Sequence, residues 1–410
     1  MADEWKTVPL SDLYDFSSGL SKPRSEFGFG HGFLAFKDVL DNYFAPDQLS
    51  ALVNSTEREQ ATCSIKRGDV FLTRTSETQP ELGMSCVALK DYPKATFNGF
   101  TKRLRPKSPD EVVPEYAAYY FRGPRFRQAV TSMSSLSTRA SLNNEMLSRL
   151  SIILPPVSEQ KAIGIVLKAL DDKIELNRRM NRTLEGLARA LFQSWFVDFD
   201  PVRAKAAELV REGVLEIGDG YRAKNSELAE VGLPFVRAGN LNGGFDLAGA
   251  ELLCEDSVAK AGNKLSRVGD VAFTSKGTVG RIARVNAGTP TFVYSPQVCF
   301  WRSLSPRRLH PAVLYCWMAS PDFQAQIAAF SHQTDMAPYV SLRDQRQLGV
   351  PVFPSSQFQI GERIEAQLAR QAHNHAQSRT LAALRDALLS KLISGELRVP
   401  DAERIVGRCV

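Results

Sequence analysis

Cysteine is sparse and scattered in this chain: six residues, at positions 63, 86, 254, 299, 316 and 409, with no CxxC pair and no histidine at ligand spacing beside them. A disulfide framework and a structural zinc site both need clustered thiols, so the pattern favours reduced, buried cysteines. Long apolar runs are lacking too. No stretch approaches the roughly 18 apolar residues that span a bilayer, and no apolar segment follows a basic N-terminal start. The expectation is a cytoplasmic protein without membrane contact.

Motifs that carry chemistry are also missing. No GxxxxGK[ST] phosphate loop occurs, and Lys276-Gly277-Thr278 has its residues in the wrong order, so the chain holds no motor. Its only Pro-Pro, Pro155-Pro156, is followed by Val157 and not by the Tyr or Phe of an adenine methyltransferase site. Gly28-Phe29-Gly30-His31-Gly32 has no strand-to-helix context and reads as a surface loop. His373 and His375, two apart on a helix, point to different sides and make no metal pair. Ser, His and Asp form no nucleophile signature. No catalytic residue, metal ligand or cofactor of this chain is expected.

What is present is ordinary in bulk and uneven in detail. Hydrophobic residues make up 43% and charged residues 23%, as in soluble globular proteins, and 410 residues suit two or three domains. The net charge of +6 is small, but its placement is not even. Positions 260–310 hold nine Lys/Arg against one acid, and positions 60–107 hold nine against four. Two basic islands in a nearly balanced chain read as two phosphate-facing surfaces.

The chain also repeats itself. Gly68-Asp69-Val70 returns 201 residues later as Gly269-Asp270-Val271, each followed by an apolar pair and then Thr73 or Thr274. Pro124-x-Phe126 returns at 197 residues as Pro321-x-Phe323, and Arg182-Thr183-Leu184-x-x-Leu187 as Arg379-Thr380-Leu381-x-x-Leu384. Gly19 and Gly220 open the two copies. Matches in one order at nearly one offset imply two copies of a domain-plus-helix unit, related by a pseudo-twofold axis. Within each copy, short strand patterns (Asp69 to Thr73, Cys86 to Leu89, Asp270 to Thr274, Arg281 to Val285) alternate with helical ones (Pro114 to Phe121, Pro311 to Met318). The class is α+β.

After Pro155-Pro156, with Ser158 as N-cap, no proline appears until Pro201. Ile163, Leu167, Leu170, Ile174, Asn177, Asn181, Leu184, Ala188, Leu191 and Trp195 follow an unbroken 4-3 spacing, the seam of a coiled coil. Its counterpart 197 residues on runs Ile360, Ile364, Gln367, Gln371, Asn374, Ser378, Leu381, Arg385, Leu388, Leu392. Both are apolar at the ends and polar in the middle, with Asn177 and Asn374 in the same place, where a buried Asn fixes register. About 39 residues make a helix of roughly 58 Å, a spacer rather than part of a small domain. The spacing predicts four segments: a domain over 1–154, a helix over 155–200, a second domain over 201–352, and a helix with tail over 353–410.

Leu154-Pro155-Pro156-x-x-Glu159-Gln160-x-x-Ile163 at the start of the first helix, and Phe192-x-Ser194-Trp195-Phe196-Val197-Asp198-Phe199-Asp200-Pro201 at its end, resemble the conserved regions of type I restriction-modification specificity subunits. Trp5-x-x-Val8-x-Leu10-x-Asp12-Leu13 and the paired GDV strands fit the same family. The second helix departs from it: it lacks the Pro-Pro and the Glu, and ends in Ile393-Ser394-Gly395-Glu396-Leu397. The resemblance implies two target recognition domains joined by two long antiparallel coiled-coil helices. It implies a non-catalytic subunit that reads an interrupted double-stranded DNA target. Two methyltransferase subunits and, in a full complex, motor-nuclease subunits would be its partners. S-adenosylmethionine, ATP and Mg would belong to those partners. Trp195, Phe196 and Phe199 become candidates for methyltransferase docking, since aromatic anchors dominate interface energies.

Phosphate contacts call for Lys, Arg, hydroxyls and amides, and base reading for Arg, Lys, Asn and Gln. The first domain offers Arg74, Thr75 and Ser76 after the GDV strand, and Asn98, Lys102 and Arg103. The second offers Ser275, Lys276, Thr278, Arg281 and Gln297, with Arg222, Lys224, Arg237 and Asn240 following Gly220. Two rival readings remain open here: a duplicated protein-binding scaffold, which salt-insensitive DNA behaviour would favour, and an enzyme with degenerate motifs, which cofactor binding by the isolated chain would reveal. A recognition module of another DNA-modification or defence complex is the nearest alternative.

Overall fold

The computed structural model describes residues 5–75, 79–134, 141–196, 202–331, 338–352 and 358–407. The chain forms two compact units. One comprises Met1–Glu175 with Ser378–Val410, the other Leu176–Gln377.

In the first unit an antiparallel pair, Lys6–Pro9 with Ser151–Leu154, brings the two ends of the domain together. A four-stranded sheet follows the order Tyr14–Ser18, Thr101–Pro106, Val70–Thr73, Ser85–Val87. Val70–Thr73 is buried throughout, as expected of a short apolar run that becomes an inner strand. Gly68 enters it at φ 89°, a conformation only glycine adopts without strain. A second sheet aligns Ala51–Val53, Phe27–Leu34 and Thr96–Phe97. The glycine-rich run read as a surface loop is therefore part of a strand. Glycine is a breaker by propensity, yet here it permits close approach: a Cβ on Gly30 would lie 2.6 Å from the Val53 carbonyl oxygen. The helix Pro114–Arg122, opened by its N1 proline, buries Tyr116, Tyr119, Tyr120 and Phe121.

The second unit repeats this plan. Val202–Lys205 pairs with Gly349–Val352, and a four-stranded sheet runs Leu215–Gly218, Val298–Ser303, Val271–Thr274, Ile282–Arg284. Beside it lie Leu228–Ala229, Glu251–Leu253, Leu233–Val236 and Val293–Tyr294. The change of offset from 201 to 197 has a physical location. From Thr73 to Ser85 the chain advances 12 positions, from Thr274 to Ile282 only 8, so the first unit carries four extra residues in the loop after the GDV strand.

Two long helices, Val157–Phe196 and Phe358–Ser394, contribute one part to each unit. In the first unit Ile163, Leu167, Leu170 and Ile174 share one core with Leu381, Leu388, Leu392 and the domain's own tyrosines. Each such side chain, when buried, contributes about 1.5–3 kcal/mol. Arg385, a charge on the predicted seam, donates to Asp171 at 2.6 Å, and Tyr119 donates to the same carboxylate at 2.7 Å. In the second unit Ala188, Phe192, Ile360, Ile364 and Leu368 join the core around Trp301 and Trp317, while Leu184 and Leu191 are half-buried. The polar layer lies in this unit as well. Asn177 donates to Gln377 Oε1 at 2.9 Å, Asn374 donates to Asn181 Oδ1 at 2.8 Å, and Asn181 and Gln371 each donate to the other's carbonyl at 3.3 Å. As the number rises on one segment it falls on the other, so the two segments run antiparallel within this unit.

The start of the first helix shows what its Pro-Pro-x-x-Glu-Gln run does. Glu159 accepts the Trp5 indole N–H at 3.1 Å. Gln160, 1% exposed, accepts from the Val113 amide and donates to the Pro155 carbonyl, both at 2.9 Å. Gly164 and Gly361, again 197 apart, let each helix approach its domain closely. A Cβ on them would meet Glu115 at 2.9 Å and His310 at 2.5 Å. The run 353–357, which precedes Phe358 of the second helix in sequence, lies outside the described residues.

Candidate nucleic-acid interface

Both units build the same constellation at the end of the GDV strand. In the first, the Thr73 hydroxyl accepts from the Met84 amide at 2.9 Å and closes the loop. The chain leaves the strand at Arg74, whose amide donates to the Phe100 carbonyl at 2.8 Å and whose carbonyl accepts from Leu142 at 2.8 Å. Thr75 bridges to Ser141. In the second unit the Thr274 hydroxyl accepts from Arg281 at 3.0 Å. Ser275 donates to the Gln297 carbonyl at 2.9 Å and accepts from Val340 at 2.9 Å, and Lys276 bridges to Tyr339. Arg74 thus matches Ser275, Thr75 matches Lys276, and Phe100 matches Gln297.

The turns that carry Phe100 and Gln297 are held tightly. Asn98 Oδ1 accepts from the Phe100 amide at 2.7 Å, and its carbonyl accepts from the Thr101 amide at 3.0 Å. In the second unit the Ser295 carbonyl accepts from Val298 at 2.9 Å. Gly19 and Gly220, which open the two copies, press against these turns. A Cβ there would lie 2.3 Å from the Asn98 oxygen and 2.1 Å from the Ser295 oxygen.

The fold divides the predicted contact residues into distinct groups. In the second unit Lys276, Thr278, Arg281, Gln297, Arg222 and Lys224 are exposed, and in the first unit Arg74, Thr75 and Asn98 are half-buried. Arg237 and Asn240 flank the second turn, because the Ser295 amide donates to the Val236 carbonyl at 2.9 Å. Both are engaged: Arg237 pairs with Glu251, and Asn240 accepts from the Arg237 amide at 2.9 Å. Ser275 is 1% exposed, and its hydroxyl also donates to the Gln297 carbonyl, at 3.4 Å. Lys102 and Arg103, each 8% exposed, face inward. Lys102 donates to Ser18 Oγ at 2.9 Å and Asn144 Oδ1 at 2.8 Å, and Arg103 donates to the Ser64 carbonyl at 2.6 Å. Burial, aided by the nearby Arg74 charge, pulls the Lys102 ammonium below its ordinary range. Ser76, Phe199 and the side chains of Trp195 and Phe196 lie outside the described residues.

Part of the basic islands is likewise internal. Asp69 grips Arg105 through both oxygens at 2.8 and 2.6 Å, and Asp270 grips Arg302 at 2.7 and 2.8 Å. Arg284 pairs with Glu365. The count of Lys and Arg therefore overstates the charge each domain offers outward. Phe100, 62% exposed, and Tyr339, 42% exposed, are rim residues outside the polar set expected to read bases. Aligning the copies at offset 197 sets Phe100 against Gln297 and was the signal for the first. Among the described residues no group of three His, Cys, Asp or Glu is placed to hold a metal, and no helix is long and apolar enough to cross a membrane.

The family described as the type I restriction modification DNA specificity domain matches residues 2–186. The chain is 27% identical to the type I restriction enzyme MjaIX specificity subunit of Methanocaldococcus jannaschii, over 97% of this chain and 94% of that one. It is 32% identical to the HindI specificity subunit of Haemophilus influenzae, over 56% of this chain and 47% of that one. Among solved structures, the S subunit of a type I restriction-modification system from M. genitalium superposes with a TM-score of 0.63 at 14% identity, covering 95% of this chain and 96% of that one. That last likeness is one of fold.

Proposed function

We propose that this chain is a type I restriction-modification specificity subunit, as its likenesses support, and that it reads an interrupted double-stranded DNA target, one half with each unit. The observation that carries this reading is the repeated rim. Two equivalent strand ends and turns present different side chains, Arg74, Thr75 and Asn98 in one copy, Lys276, Arg281 and Gln297 in the other. A shared frame with unlike side chains suits a protein that reads two unlike half-sites, because phosphate contacts position and base-edge contacts specify. Lys102 and Arg103 serve the fold in this reading, and Arg222 and Lys224 extend the second surface.

The subunit is non-catalytic in this reading and acts in the cytoplasm, with S-adenosylmethionine, ATP and Mg bound by its partners. Two methyltransferase subunits would dock on the helical segments, joined by motor-nuclease subunits in a full complex. Leu176 and Leu187, each 49% exposed and eleven positions apart on the first long helix, supply apolar surface for such docking, and Trp195, Phe196 and Phe199 are the docking candidates that the sequence adds.

Methylation-aware sequencing of DNA modified by the reconstituted complex defines the half-sites, and binding to matched and mismatched duplexes tests them. Arg74→Ala should relax one half by about 1–3 kcal/mol if Arg74 meets a base edge, and Lys276→Ala should act on the other half alone. If either cation meets phosphate, binding weakens evenly across sequences and the salt slope falls by about one unit. Loss of both halves from one substitution, with the fold intact, would refute divided reading.

A further inference from the structure

We propose that Phe100 is a specificity-determining residue of the first unit, reading the C5-methyl group of a thymine in its half-site. The inference rests on the DNA-reading function and adds an apolar contact to it. Single exposed apolar residues are common on protein surfaces, but this one sits in an unusual setting. The residue is 62% exposed, in a turn whose backbone is held by several hydrogen bonds. The Phe100 amide is held by Asn98 Oδ1, its carbonyl by the Arg74 amide, and the Gly99 amide donates to the Leu20 carbonyl at 2.9 Å. A side chain on so rigid a support loses little further backbone freedom on binding.

Its neighbours indicate what the ring meets. Arg74 and Asn98, the residue types that read guanine and adenine edges in the major groove, lie on the same rim. The thymine methyl is the one apolar feature of that groove, and Phe is a side chain that contacts it. More than a third of the residue is covered by the protein itself, so it remains anchored while offering apolar surface to a methyl group. The matching position in the second unit is Gln297, also exposed, whose amide has the donor and acceptor that an adenine requires. One position in the repeat thus carries opposite chemistries in its two copies.

The test uses the full chain and duplexes carrying its defined target, with each thymine replaced singly by deoxyuridine, which lacks only the methyl. One replacement, in the half read by the first unit, should weaken wild-type binding about fourfold, the equivalent of the ~0.8 kcal/mol for one buried methyl-sized group. Phe100→Ala should bind the native duplex about tenfold more weakly and be blind to that replacement, whereas Gln297→Ala should retain the fourfold response. Phe100→Leu, also apolar, should recover part of the affinity, and unchanged thermal melting should accompany all three exposed-site variants. A half-site without thymine on either strand overturns the proposal. So does indifference of the wild type to every replacement, or uracil sensitivity that persists in Phe100→Ala. In those cases DNA reading stands if Arg74→Ala and Lys276→Ala still alter salt-sensitive binding, and falls only if they do not.

Discussion

Asp69 and Asp270 stand at the same place in the two sheets, both fully buried, yet their arginine partners differ in exposure. The Arg302 side chain is 5% exposed and that of Arg105 is 24%. Asp270 also accepts from Tyr294 OH at 3.0 Å, and burial with this carboxylate drives the phenol well above its usual range. Breaking a buried pair leaves an uncompensated charge and costs about 3–5 kcal/mol, whereas a partly solvated arginine recovers water and the loss is closer to 1.5–3 kcal/mol. Asp270→Ala should therefore destabilise its unit more than Asp69→Ala destabilises the other. Urea unfolding with hydrogen exchange read separately in each unit checks this, and the reverse order would count against it. The Gly-Asp-Val pattern announced a strand and a repeat. It did not announce the clamp, because Arg105 and Arg302 follow 36 and 32 positions later and only strand pairing brings them to the carboxylate.

At the scale of the element, the two long helices follow closely from apolar spacing and proline placement. Their 4-3 pattern identifies the inward face in advance, and Asn177, Asn181 and Asn374 are buried where that pattern puts them. Which domain each stretch packs against is a separate matter. Leu381, 2% exposed, lies in the core built mainly from residues before 175. Leu381→Asp should bury a charge there and cost several kcal/mol. Exchange should then rise in Val70–Thr73 and Thr101–Pro106, some 280 to 310 positions earlier in the chain, and not in Val271–Thr274. Increased exchange confined to the second unit would disprove this assignment of the helix. The glycine-rich strand Phe27–Leu34 was illegible for the opposite reason: its residues favour loops locally, and pairing on both sides overrides that preference.

For the molecule as a whole, the duplication is the organising fact, and the lack of chemistry-bearing motifs is its companion. The purified chain should show no methyltransferase, nuclease or ATPase turnover, and activity should emerge only on adding partner subunits. Turnover that copurifies with the chain through successive columns, and is lost with a substitution in it, would overturn the non-catalytic reading.

Fold class, the duplication, the long helices and the likeness to specificity subunits were legible in residue order, because each rests on local periodicity or on motifs whose residues lie close together. The interior pairs, the inward turn of Lys102 and Arg103 and the exposure of Phe100 came from folding alone. Their positions depend on strand register, and register joins residues that sequence distance does not relate. The same holds for the first unit, completed by a helical segment about two hundred residues away, because burial of an apolar face is satisfied by whichever surface lies nearest in space.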